Sequence, residues 1–74
     1  MTNLEKVESN GYALRFIKEQ TPELCMAAVR QNGLALLYVK EQTPEICAAA
    51  VAQDSYAIQY VKDKNLKKLL KIVM

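Results

Sequence analysis

Apolar and polar residues follow one another along the chain in a pattern that returns every 22 residues. Residues 10–31 (NGYALRFIKEQTPELCMAAVRQ) and 32–53 (NGLALLYVKEQTPEICAAAVAQ) are identical at 15 of 22 aligned positions. A third copy starts at Asp54 and keeps the pattern in its first half, but NLKKL then stands where TPEIC stood. A repeat of this length is typical of stacked arrays, because one unit cannot bury its apolar face without a neighbour.

The segment ahead of the first copy carries a trace of the same pattern. Leu4 and Val7 are in register with Met26 and Val29. This segment therefore resembles the second half of a preceding unit whose sequence has diverged. The pattern therefore predicts a single helical-repeat domain over residues 1–74, with a degenerate N-terminal cap at 1–9, repeats at 10–31, 32–53 and 54–74, and a basic C-terminal capping helix.

The second half of each unit begins with the signals of an α-helix. In the first copy, Thr21 can cap the backbone N–H groups, Pro22 fits the first helical position, and Glu23 faces the positive end of the helix dipole. The apolar stripe that follows has helical spacing. We expect Asn32-Gly33 to end this helix by supplying a left-handed residue or a turn.

The first half of each unit, GYALRFIK in the first copy, is compatible with a helix or with a strand. Alanine recurs in the middle of the segment (Ala13, Ala35 and Ala57), where strands disfavour it, and this favours the helix. The proline and the Asn-Gly pair would interrupt one continuous helix. The predicted fold class is therefore all-α, a small right-handed solenoid of about three stacked two-helix repeats.

The last helix is predicted to differ from the others. Asn65 would cap it, in register with the threonine caps of the earlier copies. Its sequence is amphipathic, with the lysines away from one apolar face formed by Leu66, Leu69, Leu70 and Val73.

Composition argues against catalysis. Apolar residues make up 51% of the chain and charged residues 24%, which is a globular composition. The chain has no histidine, the commonest general base and metal ligand. Ser9 and Ser55 therefore lack a histidine that could activate them. We expect no enzymatic activity, no cofactor and no metal site.

Two cysteines occupy equivalent positions, 22 residues apart. A disulfide needs Cα atoms within ~7 Å, whereas stacked helices lie about 10 Å apart. Cys25 and Cys47 are therefore predicted to be buried, small apolar residues. The N-terminus, MTNLEKVESN, lacks the basic and then apolar pattern of a secretory signal, and no apolar run approaches the ~20 residues of a membrane span. We expect a cytoplasmic protein.

Two side-chain ladders recur in register with the repeat. The aromatic ladder of Phe16, Tyr38 and Tyr60 is predicted to be the packed seam between units, with base stacking or a peptide grip as the alternatives. The lysine ladder consists of Lys18, Lys40 and Lys62, each followed by an acidic residue. These charged side chains are predicted to be exposed to solvent along one edge of the protein.

Positions that differ between the copies are free to vary and are predicted to be exposed.

The charge is unevenly distributed along the chain. Residues 62–74 carry a net charge of +4, whereas the net charge of residues 1–61 is −2. A protein partner is expected on the variable face, and a homo-oligomer is left open. The basic helix is predicted to be the polar face of a capping helix, with contact to nucleic acid, to an acidic partner or to a membrane surface as the alternatives. The predicted contact residues are Arg15, Met26, Arg30, Leu37, Lys64, Lys67, Lys68 and Lys71.

The phrase TPELCMAAVRQNGLALLYVKEQTPEICAAAV resembles tandem repeats of the family known as domain of unknown function 4116, found in bacterial and viral proteins. The resemblance covers about residues 9 to 63 and rests on the acidic helix start, the C-x-A-A-V core, the Asn-Gly turn and the A-L-x-Y-V segment. It implies a repeat protein without an established activity, and it assigns no functional residue. The small size suggests an inhibitor of a larger complex, such as a phage-encoded antagonist of a bacterial defence system.

Overall fold

The structure, a computed structural model, describes residues 1–73, and within that range it contains seven helices and no strand. The predicted all-α class is thus confirmed. Met74, the last residue of the predicted third repeat, lies outside the described residues. The α-helices are α1 (Asn3–Ser9), α2 (Pro22–Gln31), α3 (Pro44–Gln53) and α4 (Lys64–Val73), and the 3₁₀ helices are η1 (Gly11–Phe16), η2 (Gly33–Tyr38) and η3 (Ser55–Tyr60).

The aromatic half of each unit is a 3₁₀ helix, so the strand alternative is wrong. Its N-terminus is capped by an Asn or Asp side chain that accepts from the N–H two residues later, as Asn10 does from Tyr12 at 3.0 Å. A 3₁₀ helix has three residues per turn, so residues three apart share a face. Gly11, Leu14 and Ile17 have this spacing and are all buried. The burial pattern therefore suits the tighter helix.

The predicted starts of α2 and α3 are confirmed. The hydroxyl of Thr21 accepts from the backbone N–H of Leu24 at 3.1 Å, and proline follows the cap. The hydroxyl of Thr43 makes the same bond to Ile46 at 3.2 Å. Each hydroxyl thereby satisfies one of the backbone donors that have no partner inside the helix.

The glycines serve close approach and not left-handed backbone, so that part of the prediction is wrong. Neither Gly11 nor Gly33 has a positive φ. A Cβ on Gly11 would lie 2.5 Å from the carbonyl oxygen of Ala28, and one on Gly33 would meet the carbonyl oxygen of Ala50. Glycine therefore lets η1 and η2 each touch the backbone of the α-helix that follows it.

Equivalent helices are neighbours in space. The α-helices pack in chain order, and so do the 3₁₀ helices, while each 3₁₀ helix contacts both the α-helix before it and the one after it. The core draws on both sets, and its largest fully buried side chains are Val7, Leu14, Val29, Leu36, Val39 and Cys47. The resulting molecule measures 39 × 19 × 15 Å.

The last helix starts earlier than predicted, so the assignment of Asn65 as its cap is wrong. The carboxylate of Asp63 accepts from the N–H groups of Asn65 at 2.9 Å and Leu66 at 3.1 Å, and α4 begins at Lys64. An anionic cap also interacts favourably with the helix dipole. Counted from the helix start, Leu66 and Leu70 of α4 then occupy the positions of Ile46 and Ala50 of α3.

The predicted apolar face of α4 is only partly used. Leu70 is buried and Leu66 is half-buried, but Leu69 is 59% exposed. The side chain of Val73 lies outside the described residues.

Candidate interaction surfaces

Gln20 joins two successive repeats through its side chain. Its Nε2 donates to the carbonyl oxygen of Tyr38 at 2.8 Å, and its Oε1 accepts from the N–H of Lys40 at 2.9 Å. Gln20 lies just before α2, whereas its partners flank the end of η2. One amide thus satisfies a donor and an acceptor that an irregular backbone segment would otherwise leave unpaired.

Gln42 makes the same two bonds one unit later. Its Nε2 donates to the carbonyl oxygen of Tyr60 at 2.9 Å, and its Oε1 accepts from the N–H of Lys62 at 3.0 Å. We call Gln20 and Gln42 the glutamine clamps. The residue in register in the third copy is Lys64, which cannot accept a hydrogen bond. The clamp therefore ends where the repeat sequence ends.

A second pair of glutamines fixes the start of the 3₁₀ helices. Gln31, the last residue of α2, accepts from the N–H of Gly11 at 2.7 Å. Gln53, the last residue of α3, accepts from the N–H of Gly33. No role was predicted for these four glutamines, although they occupy identical positions in residues 10–31 and 32–53.

Two equivalent grooves lie beside the glutamine clamps. The first has a volume of about 260 Å³ and the second about 240 Å³. Residues at equivalent repeat positions line the two grooves: a clamp glutamine, a cysteine, a lysine and an acidic residue. These are Gln20, Cys25, Lys40 and Glu41 in the first groove and Gln42, Cys47, Lys62 and Asp63 in the second. The lysine ladder borders these grooves, and the Lys40 Nζ donates to the carbonyl oxygen of Lys18 at 3.1 Å. This lysine therefore also connects neighbouring units.

The cysteines are buried as predicted, with 3% of Cys25 and 1% of Cys47 exposed, and both thiols are free. Each Sγ lies close to the Oε1 of a clamp, at 3.7 Å from Gln20 and 3.5 Å from Gln42. Burial raises the pKa of both thiols, and nearby carboxylates raise it further. The raised pKa lowers the fraction of reactive thiolate, so these thiols are poorer nucleophiles than exposed ones.

An exposed aromatic cluster lies on the side of η1 and η2. The guanidinium carbon of Arg15 lies 5.0 Å from the ring centroid of Phe16 and 5.6 Å from that of Tyr38. The rings of Tyr12 and Tyr38 meet edge to face at a centroid distance of 6.1 Å. We call Tyr12, Arg15, Phe16 and Tyr38 the aromatic patch. Next to it in the chain, Leu37 is 49% exposed.

The predicted aromatic seam is therefore only partly correct. Tyr38 and Tyr60 are half-buried and pack against the core, but Phe16 is 78% exposed. The earlier aromatic residue Tyr12 and the guanidinium of Arg15 cover the ring of Tyr38. Phe16 belongs to η1, which has no preceding 3₁₀ helix within the described chain. The same repeat position is thus covered in one unit and open in another.

The predicted contact residues fall into three groups. Arg15 and Leu37 lie on the 3₁₀ helices, whereas Met26 and Arg30 lie on α2. Arg30 is exposed beside a shallow groove that Glu8 also lines, but Met26 is half-buried against the core. The third group is on α4, where Lys64, Lys68 and Lys71 are exposed and Lys67 is half-buried.

The part of the chain that the structure describes contains no group of three or more Cys, Asp or Glu residues that could hold a metal ion. No helix among residues 1–73 has both the length and the apolar character needed to cross a membrane.

These features define an all-helical protein in which a repeated sequence forms equivalent contacts. The profile of the family described as "Domain of unknown function (DUF4116)" matches residues 21–67, more than half of the chain. The chain belongs to this family. The comparisons with curated proteins and with solved structures found no match.

Proposed function

We propose that this chain is a small right-handed solenoid that acts as a non-catalytic protein-binding module through its aromatic patch. The solenoid is supported by the ordered neighbour contacts and by clamp bonds that recur one unit apart. Arrays of this kind are stabilised by each interface between neighbouring units. Duplicating residues 32–53 should therefore lengthen the particle in small-angle X-ray scattering, whereas an unchanged maximum dimension would contradict the solenoid.

The observation that carries protein binding is the exposure of Phe16 together with the position of Arg15. Phe16 is 78% exposed, and the Arg15 guanidinium is already held over its ring. Aromatic and arginine side chains are enriched among the residues that contribute most to protein interfaces. A preformed arrangement also lowers the entropy cost of ordering these side chains upon binding. Such a surface would suit an inhibitor that covers part of a larger complex.

The test compares host-lysate proteins captured by the wild type with those captured by an Arg15→Ser/Phe16→Ser variant. Both side chains are exposed, so the variant should keep its fold. We expect the Arg15→Ser/Phe16→Ser variant to lose the proteins that the wild type captures. A Lys18→Ser/Glu19→Ser variant changes two exposed residues nearby and serves as the control. If the aromatic-patch variant captures the same proteins as the control, this assignment is wrong.

Nucleic-acid binding through α4 is the second candidate, favoured by its four lysines. Phosphate contacts make affinity fall steeply with salt concentration. A Lys67→Glu/Lys68→Glu/Lys71→Glu variant should then lose binding to fluorescent DNA and RNA. The exposed aromatic residues that could stack on bases are not on α4, since that helix reads KNLKKLLKIV. We therefore place this function second.

A further inference from the structure

Within the part of the chain that the structure describes, the last helix exposes an apolar edge. Leu69 is 59% exposed and Ile72 is 79% exposed. These residues are three apart, so their side chains are neighbours on the helix surface. The inner side of α4 carries Leu66 and Leu70, and among the helices of residues 1–73 it packs against α3 and η3. Leu69 and Ile72 form the apolar edge of α4.

Positive charge flanks this apolar edge. From Lys64 to Val73, α4 contains four lysines and no acidic residue. Lys68 is the neighbour of Leu69 in the chain and lies four residues before Ile72, one turn away on the same side of the helix. The nearby carboxylate of Asp63 is already bonded to the first N–H groups of α4. The edge is therefore apolar with a basic border.

The chemistry of this edge favours a lipid surface over other occupants. A second copy would bring its own lysines against these lysines. A groove on another protein usually receives an apolar stripe several turns long, whereas two leucines of α4 already face the core. Nucleic-acid phosphates would leave the two aliphatic side chains in water. A lipid interface accepts a short apolar edge at the level of the acyl chains and lysines at the level of anionic headgroups.

We propose that α4 docks on anionic lipid surfaces, with Leu69 and Ile72 entering the boundary of the acyl chains while the lysines contact the headgroups. The inference goes beyond the proposed protein-binding function and does not depend on the aromatic patch. In this arrangement α4 lies in the plane of the interface. The long lysine side chains can reach the headgroup level while their methylene stems contact apolar surface.

Co-sedimentation with lipid vesicles tests this proposal. The wild type should sediment with vesicles of equimolar phosphatidylcholine and phosphatidylglycerol and stay in solution with vesicles of phosphatidylcholine alone. A Leu69→Gln/Ile72→Gln variant should bind the anionic vesicles about tenfold more weakly, because two aliphatic side chains no longer leave water. A Phe16→Gln/Leu37→Gln variant removes two comparably exposed apolar residues elsewhere and should bind like the wild type.

Circular dichroism of each variant verifies that the helices are retained. The proposal is overturned if the wild type binds neither vesicle or binds both equally. It is also overturned if the Leu69→Gln/Ile72→Gln variant binds like the wild type, since attraction between charges alone would then explain the binding. The proposal is also overturned if duplex DNA displaces the wild type from anionic vesicles and the Leu69→Gln/Ile72→Gln variant still binds DNA. In that case α4 binds nucleic acid.

Discussion

The clearest test of how the repeats are joined is the replacement of Gln42 by leucine. Leucine fills about the same volume as glutamine, but it ends one bond earlier and can neither donate nor accept a hydrogen bond. The change removes the bonds to the Tyr60 carbonyl at 2.9 Å and to the Lys62 N–H at 3.0 Å. It therefore removes these side-chain hydrogen bonds between the second and third repeats without deleting a large volume.

The expected cost follows from the two lost bonds. Each hydrogen bond contributes about 1 kcal/mol net, and a half-buried carbonyl left without a donor adds about 1 kcal/mol more. We expect Gln42→Leu to lower the free energy of unfolding by about 2–3 kcal/mol. The free energy of unfolding of small domains is roughly 0.05–0.15 kcal/mol per residue. The expected loss is therefore a large part of the total unfolding free energy of a 74-residue chain.

Urea denaturation followed by far-UV circular dichroism measures this loss. A small domain has a denaturant slope of about 1 kcal/mol per molar urea, so the midpoint should fall by about 2–3 M. Gln59→Leu is the matched control, since it makes the same change at an exposed position of η3. If both variants keep the wild-type midpoint, or if both lose the same amount, the clamp does not hold the repeats together.

Three further predictions concern the glycine, the thiols and the N-terminal cap. Gly33→Ala should destabilise the fold by about 1–3 kcal/mol in the same urea assay, because its Cβ would meet a carbonyl oxygen of α3, whereas Ser55→Ala at the matching exposed position should change little. Cys25 and Cys47 should resist a disulfide reagent at pH 8 until urea unfolds the chain, because burial raises the pKa of both thiols; fast modification of the folded chain would disprove this. At the start of α1, the Thr2 N–H donates to the Glu5 carboxylate at 2.8 Å and the Glu5 N–H donates to the Thr2 hydroxyl at 3.1 Å, which is a capping box. Hydrogen bonds from Thr2 lower the pKa of Glu5 below its ordinary value of 4.5, so the stabilising effect of Glu5 is present above that value and is lost as the pH falls through the folded pKa. An NMR titration midpoint at or above 4.5 would contradict this capping box.

The α-helix starts could be predicted from the sequence because their causes are local. A capping threonine, a proline at the first helical position and an acidic residue in the first turn act within one turn of helix. The structure has all of these interactions at Thr21 and Thr43. The start of α4 was misplaced because the prediction relied on register with these threonines. Asp63, two residues before Asn65, caps two N–H groups instead.

The glutamine clamps could not be derived from the sequence in the same way. Gln20 bonds to residues 18 and 20 positions further along the chain, and these contacts exist only once the units are packed. In the sequence, Gln20 stands in the polar phrase KEQ, which is also typical of a solvated loop. Its recurrence in both copies was the available signal, but Lys18 and Glu19 of the same phrase recur as well and are exposed, so recurrence alone did not single out Gln20.

The exposure of Phe16 was missed because the repeat pattern describes an interior unit. Periodicity assigns equivalent positions the same surroundings, and this holds only where a preceding unit is present. Tyr38 has such a unit, and Tyr12 and Arg15 cover its ring. Phe16 precedes every other 3₁₀ helix of the described chain. Within the described chain, Phe16 therefore lacks the neighbour that covers Tyr38, and periodicity alone does not show this difference.

One clamp also connects the fold to the proposed binding surface. Gln20 holds the backbone carbonyl of Tyr38, and the ring of that same tyrosine contacts Arg15 and Tyr12. Gln42 holds Tyr60 instead, outside the aromatic patch. The two clamps make the same pair of hydrogen bonds, so their removal should cost similar stability. Their effects on the aromatic patch should differ.

Gln20→Leu should therefore change the environment of Arg15, whereas Gln42→Leu should not. Ring-current shifts of the Arg15 side-chain protons report its position over the rings of Phe16 and Tyr38, and NMR measures them without a partner. We expect these shifts to move toward unfolded-chain values in Gln20→Leu, because the Tyr38 backbone loses its donor. In Gln42→Leu they should remain at wild-type values despite a comparable loss of stability. Equal changes in both variants would mean that the aromatic patch responds to overall stability, and unchanged shifts in both would mean that Arg15 is held independently of the clamp.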